Sequence, residues 1–356
     1  MGGNCAQLLL LTVNKMINGR YYFSGYSTGR SLYDITEDQA KKLTHLNVAF
    51  GIVVDGKINI DRQRPFLSEL ERIRRCNPEL NILLSTGGGD QHGHGPATDT
   101  DEHMKTFVDS TMDIVREFGF DGIDCDWEFP GDDGILEEKY QHTRLFAEYR
   151  KALDEYAASR GRKCWLTTAA ACGQWYIDRT EIDISHKYLD FINLMTYDLR
   201  GWDQPAGHHT CLYDPKDAPV VFSADRSVKM LEKIGVPKEK LLLGAAFYSR
   251  IWKNVTGSEN GVNGISPTGG GFGPSYTDIC LIHEKSGRFK KHYDNTAKAP
   301  WLFDGKDFIS YDDPSSVKAK CEYVAAEGLG GMMYWEHGSD KTGTLFNTIY
   351  ENLKNS

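Results

Sequence analysis

Apolar and polar positions along the chain follow two periods. Short apolar runs at 21–26, 45–51, 80–86, 164–171, 189–197, 241–248 and 329–336 read as strands. Between them, apolar residues recur at threes and fours and predict helices. Thr36-Glu-Asp-Gln39 is a capping box opening a helix to Leu43. A helix over 66–76 places Leu67, Leu70 and Ile73 on one face, and Asp101–Phe118 does the same with Met104, Phe107, Val108, Met112 and Val115. Further helices are predicted over 136–159, over 223–234 before Gly235 and Pro237, and over Pro314–Glu327. A fourth strand lies in the segment 119–130, where Asp124, Asp126 and Glu128 alternate with Cys125, Trp127 and Phe129. Period two puts the three acids on one face, roughly 6–7 Å apart. Pro130 cannot donate a ladder hydrogen bond, so this strand should end near Glu128.

Eight strands with helices between most of them predict an α/β fold, a (β/α)8 TIM barrel. The rhythm breaks once. About 80 residues separate Tyr248 from Leu329, roughly twice what a simple unit needs. The glycine-rich stretch 250–308, with Gly269-Gly270-Gly271, reads as a small α+β insertion domain after strand seven. The barrel then takes 20–249 and 309–354, and 1–19 form an N-terminal extension.

Three acids beside Phe120, Ile123, Trp127 and Phe129 imply a buried strand rather than a solvated face. Burial and mutual repulsion raise at least one carboxyl pKa, which is how a general acid is kept protonated near neutral pH. A divalent cation is the competing use of such a triplet, but the spacing of a calcium loop is missing, so no metal and no cofactor are expected. In a barrel the functional residues sit at C-terminal strand ends. The third strand ends in Ser85-Thr-Gly87-Gly88, and glycines there allow close backbone approach. The sixth ends in Met195-Thr-Tyr197-Asp198, followed by Gly201-Trp202-Asp203. The seventh ends in Phe247-Tyr248-Ser249-Arg250-Ile-Trp252, and the eighth in Met333-Tyr334-Trp335-Glu336.

Asp121-Gly-Ile-Asp124-Cys-Asp126-Trp-Glu128 resembles the signature of family 18 glycoside hydrolases, the chitinase family, and the other strand ends match the same family from about Tyr21 to about Leu353. The branch with an insertion between strands seven and eight fits best. The resemblance implies that Glu128 protonates the glycosidic oxygen, Asp126 holds the substrate's 2-acetamido group, Asp124 shares a proton with Asp126, and Tyr197 donates to the acetamido oxygen. It implies substrate contacts from Asp198, Arg250, Trp335, Met195, Tyr248, Trp127, Tyr26, Phe50 and Gly88, with Trp335 as the floor of the sugar pocket. The family is an exception to the two-carboxylate scheme: the acetamido oxygen attacks and an oxazolinium ion forms. The implied activity is retaining hydrolysis of β-1,4-linked N-acetylglucosamine polymers, chitin and chitooligosaccharides. Related alternatives are an endo-β-N-acetylglucosaminidase acting on N-glycans or peptidoglycan, and a non-catalytic chitin-binding lectin, which would usually lack the acid at Glu128. One departure is Gly89, where the family often carries a Trp that stacks on the leaving-group sugar.

Composition narrows the partners. With 41 basic and 50 acidic residues, a net charge of −9 and no basic run, nucleic acid and anionic membrane surfaces are poor partners. No run of residues is long enough to span a bilayer, and the enzyme is expected to be a monomer. The eight cysteines lack paired CxxC spacing, which argues against a zinc ribbon or a disulfide scaffold. Leu8–Leu11 is too short for a secretory leader and has no basic start, whereas a polymeric substrate implies work outside the cell; a cytoplasmic location stays open. Gly2 lacks the downstream Ser or Thr of a myristoylation site. His92 and His94 in a glycine-rich loop read as exposed rather than as metal ligands. His208-His209 reads as part of the cleft rim, and Asn254-Val-Thr256 is a glycosylation sequon if the product is secreted from a eukaryote.

Overall fold

Eight parallel strands pair in chain order, and the first closes on the last. They are Tyr22–Thr28, His45–Val54, Asn81–Gly87, Gly122–Asp126, Trp165–Ala171, Phe191–Met195, Leu241–Ala246 and Gly331–Trp335. The computed structural model describes residues 16–89, 92–219 and 222–356. Leu8–Leu11, Gly2, Cys5 and most of the expected extension 1–19 lie outside the described residues.

The expected (β/α)8 barrel is therefore present. A large apolar cluster fills the layer between strands and helices, and a smaller one fills the barrel interior with Leu83, Trp165, Phe191, Leu242 and Met333. At the N-terminal strand ends, Tyr22, His45, Trp165 and Phe191 close the barrel as a cluster of rings with centroids 4.4–6.1 Å apart. This plug closes the barrel interior at that end.

Local chemistry explains the outer layer. Thr36 and Gln39 form the expected capping box. The helix Asp101–Phe118 starts on the Thr100 side chain, buries Met104, Phe107, Val108, Met112 and Val115, and ends at Gly119 with φ 63. Only a residue without Cβ takes that left-handed stop at little cost. The predicted helix 66–76 is two pieces instead, a 3-10 turn Arg64–Phe66 containing Pro65 and a helix Glu69–Cys76. The acidic strand also stops earlier than expected, at Asp126, where its pairing with the strand ending at Gly87 also stops. Glu128 thus sits in the turn after the strand.

The insertion is an antiparallel sheet in the order Gly270–Ser275, Tyr248–Trp252, Phe308–Ser310, Ala299–Phe303, Lys290–Asp294. Short helical turns at Tyr276–Asp278 and Ile279–His283 complete it. Trp252, Trp301, Phe303 and Phe308 form its core. Tyr248–Trp252 begins two residues after the last barrel strand residue, Ala246, so the expected boundaries 250 and 308 fall within the insertion's own strands. The seven cysteines among the described residues are free thiols. No helix among the described residues is long and apolar enough to cross a membrane.

Candidate active site

Asp124 lies inside the barrel, fully buried. Four donors fill its carboxylate. Tyr26 Oη and Ser85 Oγ donate to Oδ2 at 2.8 Å each, and Thr167 Oγ1 and Asn193 Nδ2 donate to Oδ1 at 2.6 and 3.2 Å. Strand register explains the convergence, since Ser85, Asp124 and Thr167 are direct partners on adjacent strands. Burial raises the Asp124 pKa and the four donors oppose it. An ionised carboxylate has about four lone-pair sites. The four donors meet these sites, and none of them comes from Asp126. Asp126 hydrogen-bonds Glu128 instead, and burial, then the charges of Glu128 and Asp124, hold its carboxyl well above the usual range. Asp126 Oδ1 is buried without a hydrogen-bond partner. Asp121 is structural: at the strand's base it accepts from Ile82 N–H and pairs with Arg160 at 2.8 Å.

The cleft has two halves that meet at Glu128, Met195, Tyr197 and Asp198. One, about 240 Å³, also contains Asp126, Tyr26, Phe50, Tyr248 and Trp335. Trp335 stacks on Phe50 with ring centroids 5.3 Å apart and leans on Tyr26 at 5.4 Å, which makes it a flat floor. The other, about 280 Å³, is lined by Trp175, Trp202, Phe222 and Gln204 and does not include Asp126. Tyr197 Oη reaches only Met333 Sδ, at 3.8 Å, and burial followed by the Asp126 and Glu128 charges keeps it protonated. Burial would raise Asp198, but His209 and Arg250 outweigh it and hold the carboxyl down to about 2. Non-proline cis peptides occur at Ala49-Phe50, Glu128-Phe129 and Trp335-Glu336, all at the open strand ends.

Three expected substrate contacts are corrected. Trp127 points away from the cleft, 5% exposed, stacked on His94 at 5.2 Å and edge-on to His142, because the turn after Asp126 sends alternate side chains into the helical layer. Gly88 does not line the cavity. Its φ is +87 and a Cβ there would lie 2.5 Å from the Phe50 ring, so it makes room for that ring. Arg250 is 1% exposed; its Nε donates to Asp198 at 2.6 Å, so it orients that carboxylate rather than touching the cavity. His94 is buried, not exposed, and so are His208 and His209, the latter behind Asp198. Among the described residues, no group of three or more His, Cys, Asp or Glu side chains is placed to hold a metal ion.

Sequence reasoning missed Trp175, Phe222 and Phe272. Trp175 lies four residues past the fifth strand, so reading that strand end as the others were read would have found it. Phe272 sits amid Gly269–Gly271 and Gly273, an aromatic in a run otherwise too small to pack.

The histidine sandwich around Trp127 has a consequence for pH. Burial lowers His94 and His142 to about 3, with His94 adding to the effect on His142. Each is neutral when folded and charged when unfolded below ~6.5. Their contribution is therefore full above ~6.5 and lost as pH falls toward 3, on the order of 2–3 kcal/mol each by pH 4.5. Asp126, with its raised pKa, works in the opposite direction. A His142→Leu variant is accordingly expected to lose less Tm between pH 7 and 4.5 than the wild type. A Leu variant falling as steeply would remove this histidine from the acid limb.

The chain matches the model of glycosyl hydrolases family 18 over residues 21–340. It belongs to glycosyl hydrolase family 18. The family 18 chain is 30% identical over 350 residues to "Chitinase A1" of Niallia circulans, covering 88% of this chain and 50% of that protein. It is 35% identical over 279 residues to "Chitotriosidase-1" of Mus musculus, covering 75% of this chain and 60% of that protein. It thus spans about half to three-fifths of those relatives. Among solved structures, a family 18 N-acetylglucosaminidase from Paenibacillus barengoltzii superposes with TM-score 0.91 at 42% identity, covering 94% of this chain and 100% of that one.

Proposed function

We propose that the chain is a retaining hydrolase of β-1,4-linked N-acetylglucosamine, acting on chitin and its oligomers outside the cell. One observation carries the reading: Glu128 stands where the two halves of the cleft meet, and the unpartnered Asp126 Oδ1 lies in one half only. The sugar whose acetamido group reacts occupies the Asp126 half, over Trp335. The leaving sugars occupy the half walled by Trp175 and Trp202. Glu128 protonates the glycosidic oxygen as the bond to the anomeric carbon breaks. The acetamido oxygen forms the new bond to that carbon from the opposite face, while Asp126 accepts the amide N–H and balances the positive charge of the oxazolinium ion. Tyr197 donates to the acetamido oxygen and fixes its approach. Water then opens the ring, Glu128 takes its proton, and configuration is retained. Names of relatives support chitin as substrate.

A second reading, an N-acetylglucosaminidase, is favoured by the 42% identity to an enzyme so described, whose whole chain is covered. A lectin fits less well, because the acid at Glu128 is present. Incubation with N-acetylglucosamine tetramer and hexamer, followed by mass spectrometry, tests the common core. Shorter N-acetylglucosamine products are expected. Intact oligomers after prolonged incubation would overturn the hydrolase reading.

A further inference from the structure

The Asp126 half of the cleft is small. At about 240 Å³ it is the smaller of the cleft's two halves, the other being about 280 Å³. That suits one pyranose with its acetamido arm rather than two linked sugars. Its rings differ in one respect. Tyr26 and Tyr248 are buried, Phe50 and Trp335 are half-buried, and Phe272 is 71% exposed. A singly exposed ring is ordinary on a protein surface, and packing does not account for this one. Yet it is held firmly. The Arg250 guanidinium carbon lies 3.9 Å from the Phe272 ring centroid and 4.0 Å from that of Trp202 on the cleft's other half. Arg250 is itself fixed by Asp198, and Phe272 is its direct partner in the strand pairing. Tyr248 braces the ring at 5.9 Å. A buried cation therefore orients a ring that buries little and stands at the edge of the reactive cavity.

We propose that Phe272 is a specificity-determining residue that closes the Asp126 half after one sugar, so that N-acetylglucosamine leaves one unit at a time from the chain end. The inference rests on the reading above, since that reading puts the reacting sugar over Trp335. Gly270, two residues back on the same face of the strand, offers no side chain to crowd the ring. Bulk at this position, rather than hydrogen bonding, sets the product size, and Arg250 acts as its positioning residue.

The test compares wild type, Phe272→Ala and Phe272→Trp on the N-acetylglucosamine tetramer, with products separated at under a tenth of full conversion. Wild type and Phe272→Trp are expected to release the monosaccharide and trisaccharide first. Phe272→Ala should raise the disaccharide-to-monosaccharide ratio about tenfold, the scale on which a pocket discriminates by bulk. The position is exposed, so both variants should fold, which circular dichroism checks. An unchanged ratio in Phe272→Ala, or disaccharide as the first wild-type product, overturns the role of Phe272 while leaving the hydrolase reading intact. A wild type that neither cuts nor binds the tetramer overturns both.

Discussion

Glu128→Gln is expected to lower turnover of N-acetylglucosamine oligomers by ~10²–10⁴-fold, the usual worth of a positioned general acid, with binding retained. The amide matches the carboxyl in shape but cannot deliver a proton to the leaving oxygen. Retained binding follows from the site's construction. The Trp335 floor, Phe50 and Tyr26 do not depend on Glu128, and Asp198 is fixed by Arg250 and His209. One electrostatic effect accompanies the loss. Glu128 is the largest charge raising Asp126, so its neutralisation should bring the Asp126 pKa down. Single-turnover rates, together with calorimetric titration of the tetramer, separate chemistry from binding. Near-normal turnover in the Gln variant would take Glu128 out of the role. Loss of binding equal to the loss of rate would make it a positioning group instead.

Most of the barrel was legible because its determinants are local. Asp101–Phe118 carries its cap, its apolar stripe and its terminating glycine within one stretch of sequence, and each strand is a bounded apolar run. The site was legible in part for a related reason: reactive groups gather at strand ends, and those ends can be read one by one. What sequence did not disclose depends on direction and on distant partners. Alternation suggested that Glu128 shares a ladder with Asp126, but the ladder ends at Asp126, opposite Gly87 on another strand. Nor did the alternation show the four donors on Asp124, which come from Tyr26, Ser85, Thr167 and Asn193, on four other strands. Trp127 lies between two cleft acids in the chain and faces the opposite way. Arg250 and Phe272 are twenty-two residues apart, and only the antiparallel pairing of the insertion stacks one on the other.

Substrates without an acetamido group next to the scissile bond are expected to be inert. Glucose polymers carry a hydroxyl at that carbon and fully deacetylated chitosan an amine, and neither can close an oxazolinium ring. The site offers no alternative nucleophile at hand. Asp124 is buried at 0% exposure and accepts from four donors, and on the reading above Asp126 is taken up by the acetamido N–H. Recognition fails as well as chemistry. Asp126 Oδ1 and the Tyr197 hydroxyl have no oxygen or nitrogen partner in the protein, and a sugar lacking the amide leaves both unpaired. Each such group costs roughly 1–3 kcal/mol, so at ~1.4 kcal/mol per tenfold recognition alone accounts for about 30- to 10⁴-fold before the missing nucleophile is counted. Partly acetylated chitosan should therefore be cut only where the sugar over Trp335 is acetylated, and every new reducing end should be N-acetylglucosamine. Mass-spectrometric sequencing of those ends decides the matter. Glucosamine at the new ends as often as N-acetylglucosamine would mean that a protein carboxylate attacks the anomeric carbon. Asp126, the acid nearest Glu128 in the reactive half, would then be the group to replace.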